Sequence, residues 1–146
     1  CLGGNGYVED LPLPRLYRES PVNSIWEGSG NVIVLDVLRA ISQEAGTIDA
    51  LLDEIDLARG NDGRFDQFAA SVRSEWKSLV GDVPQARRFV ERLALALQGS
   101  LVVRFSPQEV VDAFCASRLA GDHGLAFGTL PRGIEFARII DRGLSL

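Results

Sequence analysis

The chain has no methionine, a single histidine, a single lysine and two cysteines among its 146 residues. These scarcities exclude several classes of protein. His123 stands alone, and Cys1 and Cys115 make no metal spacing, so zinc chemistry has no ligand set to work with. Those cysteines allow one conceivable disulfide, and a reducing, cytoplasmic setting is the simpler expectation. Long apolar runs are missing too. Stretches such as Val32–Leu35 and Leu93–Leu97 are far too short to cross a membrane, so no membrane partner is expected. The opening Cys1-Leu2-Gly3-Gly4 lacks the charged start and apolar centre of a signal peptide. Excess positive charge is also lacking: the net charge of −5 runs against a strong nucleic-acid binder. With no methionine and a glycine-rich opening, the chain is expected to be a fragment of a longer protein.

What remains is an ordinary globular composition, 46% hydrophobic and 24% charged, long enough for one domain with a substantial core. Charge is uneven along it. Residues 1–60 carry four arginines against ten acids, for −6; residues 61–146 carry ten arginines and Lys77 against ten acids, for +1. Arg87, Arg88 and Arg92 form a modest basic set, for which a solvated helix face is the first expectation.

Residues 1–30, with Pro12, Pro14, Pro21 and five glycines and no sustained period, read as a long Gly/Pro-rich loop. From Asn31 the pattern turns helical. Val34, Val37, Leu38 and Ile41 form one stripe, with Asn31 expected as N-cap and Gly46 as the stop. A second helix after Thr47 places Ile48, Leu51, Leu52 and Ile55 inward and its acids Asp49, Asp53, Glu54 and Asp56 mostly outward. Phe65, Phe68, Ala69, Val72, Trp76, Leu79 and Val80 define a third, from near Asp62 to Gly81. The fourth starts at Asp82 and Pro84 and is apolar over a wide arc (Phe89, Val90, Leu93, Ala94, Leu97, Leu101, Val102). That arc predicts a central helix. Ser106-Pro107-Gln108-Glu109 has the form of a capping box for a fifth helix. Gly121–Gly128, with His123, reads as a loop before a last apolar segment from Pro131. The fold class predicted is all-α: a helical domain over 31–146 behind a loop region over 1–30.

The chemistry concentrates at Trp26-Glu27-Gly28-Ser29-Gly30-Asn31. Apolar neighbours would raise the pKa of Glu27 toward that of a general base, and the adjacent glycines permit close ligand approach. Equally, Glu27 could be an acid that favours a helix start electrostatically. Spacing alone leaves both readings open. Gly3-Gly4-Asn5-Gly6 is compatible with backbone approaching a phosphate or a neighbouring chain, and equally with a surface turn.

Taken as a string, GGNGYVEDLPLPRLYRES followed by NSIWEGSGNVIVLDVLR resembles the C-terminal α-domain of the acyl-CoA dehydrogenase family, most closely its alkylation-response branch. The resemblance implies FAD as cofactor, an acyl-CoA thioester as substrate, and a homo-oligomer, a tetramer in the parent protein. It implies Glu27 as the base that removes the α-proton, Trp26 and Gly28 beside the substrate, and Gly3, Gly4, Ser29 and Asn31 at the flavin. The two early glycines would meet the flavin of a neighbouring subunit. Trp26, where relatives usually carry Tyr or Phe, implies an altered acyl pocket. The branch also implies an alternative function in DNA association with little dehydrogenase activity, with Arg39 as one contact. A third possibility for the fragment alone is an inactive helical oligomerisation module.

Overall fold

Proline opens the first helix rather than excluding one. In a computed structural model, which describes residues 3–26, 28–44, 46–78 and 83–144, Leu13–Glu19 forms a short helix, α1, with Pro14 in its first turn. There the missing N–H costs nothing and the ring presets φ. An Arg15–Glu19 pair at i,i+4 adds support. Short 3₁₀ turns flank it at Gly3–Gly6 and Ser20–Ser24. Within the stretch expected as a loop over 1–30, the described residues thus include one short helix and two 3₁₀ turns.

Among the described residues six further α-helices follow: α2 Gly30–Gln43, α3 Thr47–Asp56, α4 Gly63–Ser78, α5 Ala86–Phe105, α6 Gln108–Phe114 and α7 Phe136–Leu144. No strand occurs among the described residues, and the fold is all-α. Glu27, Cys1, Leu79, Val80, Gly81 and Asp82 lie outside the described residues.

The wide apolar arc makes α5 the centre of the bundle: it packs against α2, α3, α4 and α6. Phe89, Leu93 and Ala96 are buried against Ile48, Leu52 and Ile55 of α3, Phe65, Phe68, Ala69 and Val72 of α4, and Val111 with Cys115. Trp76 stacks on Phe89 with ring centroids 5.7 Å apart. Two expected members of the arc, Ala94 and Leu101, are exposed instead. The inner face runs through Ala96, Gly99 and Ser100. Small residues win there because α3 and α4 come close: the Ser100 hydroxyl donates to the Glu54 carbonyl at 3.3 Å.

Several acids and arginines expected on solvated faces are tied across helices. Arg73 reaches Asp56 at 2.7 Å, Arg104 reaches Glu54 at 2.6 Å, and Arg92 reaches Glu75 at 2.8 Å while its guanidinium lies 4.6 Å over the Phe68 ring. Arg64 reaches Asp112 at 2.8 Å, joining α4 to α6. Among the described residues no acid, histidine or cysteine cluster could hold a metal, and no helix is long and apolar enough to cross a membrane.

Helix ends depart from expectation in three places. Ser29, not Asn31, is the N-cap of α2. The helix α2 ends at Gln43, and Gly46, at φ 90°, instead precedes α3. The capping box at Ser106–Glu109 forms no side-chain cap bond, because Ser106 closes α5 and Pro107 launches α6 directly. After α6, residues Cys115–Leu119 widen into a π-helical turn, with the Ala120 N–H donating to the Cys115 carbonyl at 2.9 Å. His123 sits in an exposed loop, as expected. The final helix α7 begins five residues after Pro131 and buries no residue.

Candidate functional site

The turn leading into α2 is built from backbone bonds. Ile25 and Trp26 donate their N–H groups to the Val22 carbonyl at 3.0 and 2.8 Å, and Gly28 donates to the Ile25 carbonyl at 3.2 Å. Gly28 then adopts φ 122°, a region a side chain rarely enters. Ser29 follows in extended conformation (φ −68°, ψ 152°), and its carbonyl accepts the Ile33 N–H at 3.0 Å to begin the helix. Glu27 itself, expected from sequence just before a helix start, lies outside the described residues.

The side chains around that turn face outward. Ile25 is 64% exposed and Trp26 73%. The exposed Ser29 makes no side-chain cap bond, so its hydroxyl is not spent on the helix start. Asn31 is otherwise engaged: its side-chain carbonyl accepts a bond from Arg87 Nη1 at 2.6 Å, 56 residues away on α5. The Arg87 guanidinium also lies over Gly30, where an added Cβ would stand 2.8 and 2.9 Å from its terminal nitrogens. Sequence reasoning placed Arg87 in a solvated basic set. No local pattern could have linked it to Asn31.

Apolar residues also line the outer side of α2. Val34 faces the bundle and is buried, while Val32, Ile33 and Leu35 are exposed. With Asp36, Val37 and Arg39 they border a shallow groove of about 400 Å³. The Arg39 guanidinium is paired with Asp36, at 2.6 and 3.0 Å, and reaches Gln43 at 3.4 Å.

Of the remaining sequence-predicted positions, Gly3 and Gly4 lie in the exposed 3₁₀ turn Gly3–Gly6, Gly3 at φ 55° and both bordered by open space. Among the described residues that turn packs against α1 and makes no substantial contact with α2. The structure thus brings Trp26, Gly28, Ser29 and Asn31 together and leaves Gly3 and Gly4 apart from them. Between the two, Arg18 forks onto Glu9 at 2.6 and 3.1 Å, tying α1 to the chain before it.

Comparison with known proteins bears on the same segment. The family described as acyl-CoA dehydrogenase, C-terminal domain, matches residues 1–42. The chain is 38% identical over 114 residues to AidB of Escherichia coli (strain K12), covering 78% of this chain and 21% of that protein. It is 39% identical over 83 residues to acyl-CoA dehydrogenase family member 11 of Caenorhabditis elegans, covering 54% of this chain and 14% of that protein. The chain therefore spans about a fifth or less of the length of these relatives. The family match runs from the Gly3 turn through α1, the glutamate turn and nearly all of α2, and the AidB match extends well beyond it. By sequence over residues 1–42 and by its all-α fold, the chain is similar to the C-terminal domain of the acyl-CoA dehydrogenase family.

Proposed function

We propose that this domain serves an FAD-dependent dehydrogenation of acyl-CoA thioesters in the intact parent protein, with Glu27 as the base. One observation carries the proposal: the family match is concentrated in residues 1–42, the stretch that builds the glutamate turn and launches α2. In this reading residues 1–30 contribute to the flavin and acyl site, and residues 31–146 form the helical domain with its extension.

The residues present suit a flavin and a thioester. Open backbone at Gly3 and Gly4 leaves room for close approach by a cofactor, and their distance from α2 is compatible with serving a neighbouring subunit. The Ser29 hydroxyl is available for a contact, whereas Asn31 has its carbonyl committed to Arg87, which makes it the weaker flavin position. When bound, the flavin supplies the hydride acceptor. Glu27 takes the proton from Cα of the acyl group while the hydride leaves Cβ, forming the α,β double bond. The Glu27 backbone N–H donates to the thioester carbonyl, where negative charge develops. Trp26 and Gly28 border the substrate. The desolvation that would raise the Glu27 pKa comes from whatever covers Ile25 and Trp26 in the assembly. The exposed apolar side of α2 supports such a covered, oligomeric arrangement.

The DNA-association alternative has less support, since Arg39 already neutralises Asp36 and the chain is acidic overall. The test is turnover of an acyl-CoA panel by the whole flavin-loaded protein with an electron acceptor. Activity that collapses in Glu27→Gln supports the proposal. Equal activity in that variant removes Glu27 from the base role.

A further inference from the structure

Resting on that reading of Glu27, we infer that Arg87 is a positioning residue for the glutamate turn. Two contacts define the clamp. Arg87 Nη1 donates to the Asn31 side-chain carbonyl at 2.6 Å, and the guanidinium covers Gly30 closely enough that any Cβ there would displace it. Both contacted residues belong to the first turn of α2, three and four positions after Glu27. The partner element is α5, the centre of the bundle.

General surface electrostatics does not account for this placement. A guanidinium near a helix N-terminus stands against the backbone dipole, which favours anions at that end. Among the described residues its bonded acceptor is a neutral amide and not a carboxylate. What the geometry accomplishes is mechanical. Of the backbone leading into α2, the turn at Ile25–Gly28 is held by its own backbone bonds. The Arg87 bond ties the first turn of α2 to α5 at the centre of the bundle, and so holds the helix start in place. An arginine suits this because one planar group can donate to Asn31 while its face lies over Gly30. A lysine ammonium is a point donor and cannot do both at once.

The experiment uses the whole flavin-loaded protein carrying Arg87→Ala, Arg87→Lys, Asn31→Ala or the Arg87→Ala/Asn31→Ala pair, with Glu27→Gln alongside. Two readouts are taken: kcat and KM for an accepted acyl-CoA, and amide hydrogen exchange at Ile33 and Val34 compared with Phe68–Val72. The expected result for Arg87→Ala is a kcat lower by about 10- to 100-fold, the cost of a catalytic group displaced by about an ångström, with KM nearly unchanged. Exchange accelerates at Ile33 and Val34 and not in α4. Lysine restores part of kcat, and the double variant is no worse than the worse single one. Unchanged exchange at Ile33 and Val34 in Arg87→Ala overturns the clamp whatever the activity. Accelerated exchange with full kcat overturns its positioning role. Full turnover in Glu27→Gln overturns the underlying reading of Glu27, and shows itself in that variant alone.

Discussion

Gly99 and Phe65 are in contact: a methyl group added to Gly99 would stand 3.1 Å from the Phe65 ring and 3.1 Å from Leu119 Cδ1. Phe65 is fully buried on α4, so its ring has little room to yield. Two effects compete in Gly99→Ala. Helix propensity favours alanine by about 1 kcal/mol, while overpacking a filled core costs about 1–3 kcal/mol. The second wins, and the variant is expected to lose about 1 kcal/mol in urea unfolding. A gain in stability would show that α4 and α5 are less tightly apposed than described.

Asp62 caps α4 and holds Arg64. Its carboxylate accepts the backbone N–H groups of Arg64 and Phe65 at 2.8 and 3.2 Å and the Arg64 guanidinium at 2.5 Å. The Arg64 bond first, then those backbone donors, keep its pKa below the ordinary carboxylate value against the opposing effect of burial. A depressed pKa means the stabilisation is complete above the unfolded-state pKa and is lost as pH falls through the folded-state value. Replacement by alanine should cost about 1–2 kcal/mol at neutral pH through the lost cap. Replacement by asparagine, which can still cap, should flatten the stability decline below about pH 4. Thermal melts from pH 2 to 7 measure both, and an unchanged acid limb in Asp62→Asn would assign that decline to other carboxylates.

Cys115 is a free thiol with no exposed surface. Burial first, and the charge of Asp62 second, push its pKa up to about 11. Because this pKa is raised, the folded state keeps a proton that the unfolded chain releases, so stability falls as pH climbs from about 9 toward 11. In a Cys1→Ser background, alkylation at pH 8 should be slow in buffer and fast in urea, since the thiolate is the reactive form. Rapid labelling of the folded protein would place the thiol at the surface.

Much of the bundle was legible because burial imposes the helical period. The stripes on α3 and α4 and the wide arc of α5 are side-chain patterns that only a packed helix satisfies, and they became the core. Errors fell where local chemistry had alternatives. Pro14 served to start a helix, and Ser106 ended one helix rather than capping the next, because neighbouring backbone decided between uses that the residue types allow equally. In the turn before α2, Glu27 lies outside the described residues, and the role of Asn31 was set by an arginine far along the chain. A pairing across 56 residues leaves no spacing to read. The same limit hid the use of Arg73, Arg92 and Arg104 as ties between helices, since charge patterning records sign and not partner.

The central claim is that Glu27 moves the α-proton of an acyl thioester, and exchange of that proton tests it apart from redox turnover. The whole flavin-loaded protein is incubated in D₂O with an acyl-CoA thioester, and deuterium entering Cα is followed by mass spectrometry. The account predicts ready incorporation in wild type and a loss of about 100-fold or more in Glu27→Gln, the scale of a general base. Incorporation at the wild-type rate in Glu27→Gln would contradict it.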